Sequence, residues 1–432
     1  MTAGSTRWIA LGLFAAIGSG CASSANIQPV ADQPVIEVQA AEQTRPIQFR
    51  KIVIKLKRGE DIGAIEAGLL CAPHAELTFR GGRMTLDSEE LTETFQHELE
   101  VANYQVVGDP DALFEDPSAW KAEYLVAGLV KRMNANICYP MLGWGSTDAK
   151  GEAFMEVQWQ IYSRLDRKVV YELTTQGSSD VTDSRPTGEV DVFLDAFAQA
   201  TRNLLADEGF HDVIAGGGAP LARATTTVAV PSAFVPRGLF NQAIGSNMET
   251  VRSNVVVVYA GGGHGSGFVI DDDGHLLTNE HVVRAAERVK VRFETGEEAT
   301  AIVLAVDARR DVALLKVDRT GTGGLPVRFD APAIGAEVYA VGAPLDPSYS
   351  ATVSRGIVSA LRTIDGETWI QSDVNVQPGN SGGPLLDDRG NIIGITSRGE
   401  PTDAGTPSGV NFFVPITDAL TRLGLSPKDA ES

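Results

Sequence analysis

Cysteine is scarce in this chain: three among 432 residues, at positions 21, 71 and 138. Three cannot build the dense disulfide framework of a small secreted scaffold. Positive charge is also short, with 36 Lys+Arg against 56 Asp+Glu and a formal charge of −20. Both halves of the chain share that acidity, so no basic face is available for nucleic acid, and no nucleic-acid partner is expected. No apolar run approaches the ~20 residues that a membrane-spanning helix needs. Histidine occurs six times, at 74, 97, 211, 264, 275 and 281, and never in the last third of the chain. Histidine-dependent chemistry in that last third must therefore borrow its base from upstream. What is present is ordinary: 43% hydrophobic and 21% charged residues, the composition of a globular protein long enough for two domains.

The N-terminus sets an expectation about compartment. Arg7 precedes the apolar stretch Trp8–Ile17, then Gly18-Ser-Gly20 leads to Cys21 and Ala22-Ser-Ser24. Ten apolar residues fit the core of a signal peptide. Small residues ending at a cysteine resemble a bacterial lipoprotein signal (1–20), in which Cys21 is lipidated and anchors the protein to a membrane of the cell envelope, facing the periplasm. Gly18 stands where such signals usually carry Leu. The other reading is a plain secretory signal cut after Ala25, with release into the periplasm. In an oxidising compartment Cys71 and Cys138 either pair, closing a 67-residue loop, or remain two buried thiols.

Residues 21–46, rich in Ala, Gln, Pro and Ser, read as a tether. Alternation over Phe49–Leu56 marks a first strand. Leu91, Phe95, Leu99 and Ala102 recur at helical spacing behind an Asp87-Ser88 cap. Strand patterns return at Tyr124–Val130, Met155–Ile161 and Val169–Leu173, and a second helix spans Val190–Ala206. Together they imply an α/β sandwich domain over 47–214, with a default role in docking an envelope partner or a substrate. His74, His97 and His211 lack metal-ligand spacing. Met133–Phe154, holding Tyr139 and Trp144, reads as a long loop. Residues 215–237 have linker composition.

Beyond Asn254 the chain turns to short Val-, Ile- and Gly-rich runs. Ten are recognisable between Asn254 and Val414, with scarcely a helix, which predicts an all-β architecture of two packed six-stranded barrels. Three segments carry chemistry. Residues 265–283 contain His281, Asp311 opens an apolar strand, and Gln371–Leu386 holds Ser381 in a glycine-flanked turn. A serine hydroxyl becomes a nucleophile when an imidazole takes its proton and a carboxylate orients the imidazole. N–H donors, here Gly379 and Ser381, must receive the developing oxyanion. Gly379-Asn-Ser-Gly-Gly383 also satisfies the nucleophile elbow of α/β-hydrolases, but that fold places its histidine after the serine. None follows Ser381. Asp271–Asp273 precede His281 but read as a hairpin turn before Gly274, and the set lacks the later glutamate of a calcium loop. Gly261–Gly267 lacks the Lys-Ser/Thr of a phosphate loop. No metal or organic cofactor is implied. The order His281, Asp311, Ser381 on an all-β domain is that of chymotrypsin-like proteases.

The segment 265–283, the run 311–317, Pro378-Gly-Asn-Ser-Gly-Gly-Pro384, Thr352–Ala360 and Gly409–Ile416 together resemble the HtrA (Deg) family of trypsin-like envelope proteases, over about 180 of the 432 residues. The resemblance implies Ser381 as nucleophile, His281 as general base and acid, Asp311 as its orienter, and Gly379 and Ser381 as oxyanion donors. It also implies a primary pocket bounded by Asn375, Val376, Thr396 and Ser397, uncharged at Asn375 and so suited to small or medium apolar side chains. The expected boundaries are 238–425 for the protease domain and 426–432 for a tail. The PDZ modules usual in the family are not seen after Pro415, and no trimer-forming segment is identifiable within 238–253, which leaves the oligomeric state open. The expectation is a serine endopeptidase of the bacterial envelope acting on protein or peptide substrates in quality control or regulated proteolysis. The alternative is a non-catalytic adaptor that uses a latent protease fold to bind peptides.

Overall fold

The computed structural model describes residues 23–39, 44–79, 88–109, 116–141, 147–215, 231–260, 263–318, 323–343, 345–401 and 407–428. Cys21, Asp87, Trp144 and residues 216–230 of the expected linker lie outside them. The N-terminal unit is built from β1 (Ile47–Ile54), β2 (Asp61–Ala67), β3 (Ala72–Thr78), α1 (Ser88–Val101), β4 (Tyr124–Tyr139), β5 (Ala149–Ser163), β6 (Lys168–Arg185), α2 (Gly188–Leu205) and α3 (Glu208–Ala215). Its sheet runs β3-β2-β4-β5-β6. The long β4 accepts two parallel neighbours end to end, with β1 along Tyr124–Val130 and β2 along Ala135–Tyr139. Phe95 and Phe197, from the two long helices, pack their rings 5.5 and 5.7 Å from Trp159 at the centre of the sheet. The indole N–H is satisfied by Thr175 Oγ1 at 2.7 Å, so the large ring is buried without stranding its polar atom.

Two expectations are corrected here. Met133–Phe154 is mostly strand, since β4 runs to Tyr139 and β5 starts at Ala149. A register shift between Val130 and Arg132 interrupts the alternation, and the buried set resumes at Met133, Ala135 and Ile137. The described part of the tether is also bound to the domain. Val30 N–H donates to Ser178 Oγ, Ile36 N–H to Leu205 O and Val38 N–H to Ala102 O, and Val38 enters the core. A segment with no periodicity of its own is held by polar groups of helices and strands far along the chain. The short β2 and β3 were not anticipated either.

Cys71 and Cys138 are bonded, with Cα atoms 5.3 Å apart, tying the β2–β3 turn to the end of β4. Closing a loop of that length constrains the unfolded chain by about 4 kcal/mol in the chain-entropy model. Replacing both cysteines by serine should lower the unfolding free energy by about that amount, read from denaturant unfolding curves fitted with their own slopes, since the freed unfolded chain exposes more surface.

The C-terminal unit comprises β7 (Ala233–Phe234), α4 (Ile244–Ser253), β8 (Val255–Ala260), β9 (Gly263–Val269), β10 (His275–Thr278), α5 (Glu280–Val283), β11 (Arg288–Phe293), β12 (Glu298–Asp307), β13 (Val312–Val317), β14 (Glu337–Gly342), β15 (Thr352–Ile364), β16 (Glu367–Ser372), β17 (Pro384–Leu386), β18 (Ile392–Pro401), β19 (Pro407–Pro415), α6 (Ile416–Arg422) and β20 (Ser426–Pro427). Strands β8 to β13 close one barrel in the order β10-β13-β12-β11-β8-β9, and β14 to β19 close another in the order β14-β15-β16-β19-β18-β17. Phe268, Leu277 and Leu314 of the first meet Val341, Leu386 and Val414 of the second in one buried cluster.

The N-terminal unit rests on the first barrel through opposite charges. Along β11 the basic residues 288, 290 and 292 alternate with buried apolar ones. Arg288 makes two 2.6 Å hydrogen bonds to the carboxylate of the buried Glu123, and Lys290 lies 3.1 Å from Asp166. Arg284, just past α5, stacks 4.0 Å from the Trp120 ring. A paired fork of this kind supplies direction as well as energy.

Candidate active site

The site lies where the two barrels meet. The α5 turn begins at Asn279, whose Nδ2 donates to Asp311 O at 2.7 Å, so the histidine segment is tied to the strand that carries the acid. Asp311 sits in the left-handed region at φ 60°. Aspartate tolerates that conformation better than most side chains. It turns the carboxylate back on α5, where Oδ1 accepts the His281 backbone N–H at 3.0 Å and both oxygens lie 2.9 Å from His281 Nδ1. One carboxylate therefore sets both the backbone and the ring of the histidine. With Nδ1 as the donor, Nε2 is left as an acceptor. The hydrogen bond to Asp311 is the main influence holding the imidazole above the ordinary histidine range, and burial of the ring opposes it. Asp271, the rival upstream carboxylate, is committed elsewhere: its Oδ2 lies 2.6 Å from His275 Nδ1.

Ser381 stands in a turn that only glycines can build. A Cβ on Gly379 would lie 2.2 Å from Ala343 O, and one on Gly382 would lie 2.3 Å from both Ser266 O and Thr278 Oγ1. Both residues also have positive φ, 99° and 84°. The neighbouring amides of Asn380, Gly382 and Gly383 donate to Gln377 O, Thr396 O and Asn380 O. Among the described residues, the Gly379 and Ser381 N–H groups have no acceptor. Two free amides flanking a serine are what a developing oxyanion requires. The Ser381 hydroxyl points to Ser397 O at 3.4 Å, and no hydrogen bond joins it to His281 among the described residues. Rotation about its Cα–Cβ bond would redirect it.

The expected pocket residues separate into different roles. Asn375 is exposed, while Val376 packs on the core of the second barrel. Thr396 is buried, with no partner for Oγ1 among the described residues. Ser397 turns its hydroxyl to Asp311 Oδ2 at 3.1 Å, extending the hydrogen-bond chain of the site. Two residues went unnoticed in the sequence. Ser266 Oγ donates to Gly379 O at 2.7 Å and accepts from Ala343 N–H at 3.0 Å. Asn411, 5% exposed, reaches from β19 to Val374 O at 2.8 Å. Its Oδ1 stands 2.6 Å from where a Cβ on Gly399, its cross-strand neighbour, would be, so its side chain bridges β18 and the segment holding Val374. Both lie inside segments that carry the resemblance, 265–283 and Gly409–Ile416, but the sequence assigns no role to either, because each acts on residues distant in sequence. Asp271, Asp273 and His275 place ligand atoms within 4.8 Å of one another, though Asp271 and His275 already satisfy each other.

Residues 265–395 match the family model of the trypsin-like peptidase domain. Over that stretch the C-terminal unit is similar to trypsin-like peptidases. Over 172 residues it is 40% identical to a DegP-like periplasmic serine endoprotease of Pseudomonas putida, an alignment covering 39% of this chain and 35% of that protein. A DegP-like relative in Hahella chejuensis is 41% identical over 164 residues, covering 36% and 34%. The chain thus spans about a third of the length of these curated relatives. Among solved structures, the serine endoprotease from Yersinia pestis is 31% identical, with a TM-score of 0.37, covering 42% of this chain and 66% of that one. The HtrA-type protease AlgW with a tripeptide is also 31% identical, with a TM-score of 0.39, covering 42% and 62%.

Because the Asp311 hydrogen bond favours the charged ring, the neutral base is lost as pH falls through a raised pKa. In the peptidase domain, Asp311→Asn should move His281 protonation to lower pH, followed by NMR of the imidazole. The rate of Ser381 reaction with a fluorophosphonate should fall by about 10⁴-fold.

Proposed function

We propose that the chain is a serine endopeptidase of the bacterial envelope that cleaves protein or peptide substrates in quality control or regulated proteolysis. Ser381 attacks the peptide carbonyl while His281 takes its proton. Asp311 keeps the imidazole in the orienting tautomer, and Gly379 and Ser381 N–H groups receive the oxyanion. His281 then protonates the leaving amine, and water resolves the acyl-enzyme. The observation that carries this reading is the pair of unpaired amides beside a serine whose histidine is already aligned by its carboxylate. The names of the relatives favour the periplasm, and the Cys21 signal favours a lipid anchor there. No described helix is long and apolar enough to cross a membrane. The N-terminal unit is the proposed docking element for an envelope partner or substrate. A fluorophosphonate should label the wild-type chain, and Ser381→Ala should abolish labelling and lower turnover by about 10⁶-fold. A folded wild-type chain that resists labelling would favour the adaptor reading, to which the present direction of the Ser381 hydroxyl lends some weight.

The pocket is proposed to be short and uncharged, with Asn411 as its floor. A peptide library varied at the residue before the cut should show small side chains preferred. Asn411→Gly should raise kcat/KM for longer apolar ones by about tenfold. Cleavage confined to sites after Lys or Arg would overturn this.

A further inference from the structure

The two most exposed large apolar side chains among the described residues are adjacent. Leu69 is 82% and Leu70 93% exposed, at the tip of the turn between β2 and β3. The tip is rigid. Cys71 N–H donates to Gly68 O, Gly68 N–H to Tyr139 O, and the Cys71–Cys138 bond ties the turn to β4. Met141, 44% exposed, lies just beyond Tyr139 at the same end of the sheet, because Ala67 pairs with Tyr139. Holding two leucines in water on a braced turn is unfavourable by the hydrophobic effect, so a partner is called for.

The start of the described chain identifies that partner. Ala25 exchanges two 2.7 Å hydrogen bonds with the Asn136 side chain, and Ser24 Oγ donates to Glu66 at 2.6 Å. Glu66 is opposite Cys138 in the sheet, two positions beyond Asn136. Followed backwards, the chain therefore heads toward the leucine tip. Cys21 stands three positions before Ser24, a reach of at most about 11 Å. We infer that Leu69 and Leu70 insert into the surface of a lipid bilayer, beside the acyl chains carried by Cys21. This rests on the lipoprotein reading of residues 1–21. The chain's charge of −20 opposes attraction to anionic lipid, so the contact is apolar. It orients the N-terminal unit with the β2–β3 turn toward the membrane.

The test uses the full chain, purified from membranes and reconstituted into phosphatidylethanolamine/phosphatidylglycerol vesicles doped with a phospholipid bearing a photoreactive acyl chain. Crosslinks should map to the peptide holding Leu69 and Leu70. Leu69→Asp with Leu70→Asp should remove them and speed protein transfer to acceptor vesicles by about tenfold or more. Both positions are exposed, so the variant should keep its melting temperature and its peptide hydrolysis. The mass of the N-terminal peptide separately reports whether Cys21 is acylated. An unmodified Cys21 with crosslinks at the tip refutes the anchor but keeps the insertion. Vesicle-bound protein without tip crosslinks overturns the insertion, as does amide protection of 68–71 by a second copy or another protein.

Discussion

Ser266 is the constraint on which the rest of the site depends. It is fully buried and bonded on every side. Its N–H donates to Ser381 O, its hydroxyl holds Gly379 O and Ala343 N–H, and its carbonyl accepts from Thr278 Oγ1. Ser266 and Thr278 belong to the first barrel, and the other three partners belong to the second. One residue thus stitches the serine turn to the strand that leads into the histidine segment. Each of these groups would otherwise be a buried polar atom without a partner, which is costly enough to enforce the arrangement.

The glycines follow from that stitch. With the turn pulled against Ser266 and Ala343, no Cβ fits at 379 or 382, and the backbone must adopt positive φ. The same twist takes the amides of 380, 382 and 383 into internal bonds and leaves those of 379 and 381 open. Asp311 works in parallel on the other side, where a left-handed backbone places one carboxylate between the histidine and Ser397. The positive-φ backbone at Asp311, Gly379 and Gly382 is held in place by the two closed barrels around it.

The N-terminal unit contacts the first barrel close in sequence to the histidine segment. Glu123 and Trp120 grip Arg288 and Arg284, seven and three residues past His281. The basic stripe on β11 meets partners 165 and 124 residues upstream, Glu123 and Asp166, and no periodicity links them. Likewise β4 looked half its length because a register shift broke the pattern, and the segment 23–38 looked free because its ties are made by the side chains of Ser178, Gln199 and Asn203.

The helices around Phe95 and Phe197, ten of the twelve barrel strands and the order His281, Asp311, Ser381 were legible in the chain alone. They rest on near-neighbour spacing: the 3.6 and 2.0 residue periods, and motifs only a few residues long. The absence of any histidine after Ser381 by itself excludes the α/β-hydrolase fold. Tertiary structure decided which aspartate faces His281, that Ser266 and Asn411 shape the site, and that the N-terminal unit leans on the first barrel. Those are contacts between residues tens to hundreds of positions apart. A single sequence carries the chemistry of each partner, while their meeting depends on how two barrels and a sheet close upon one another.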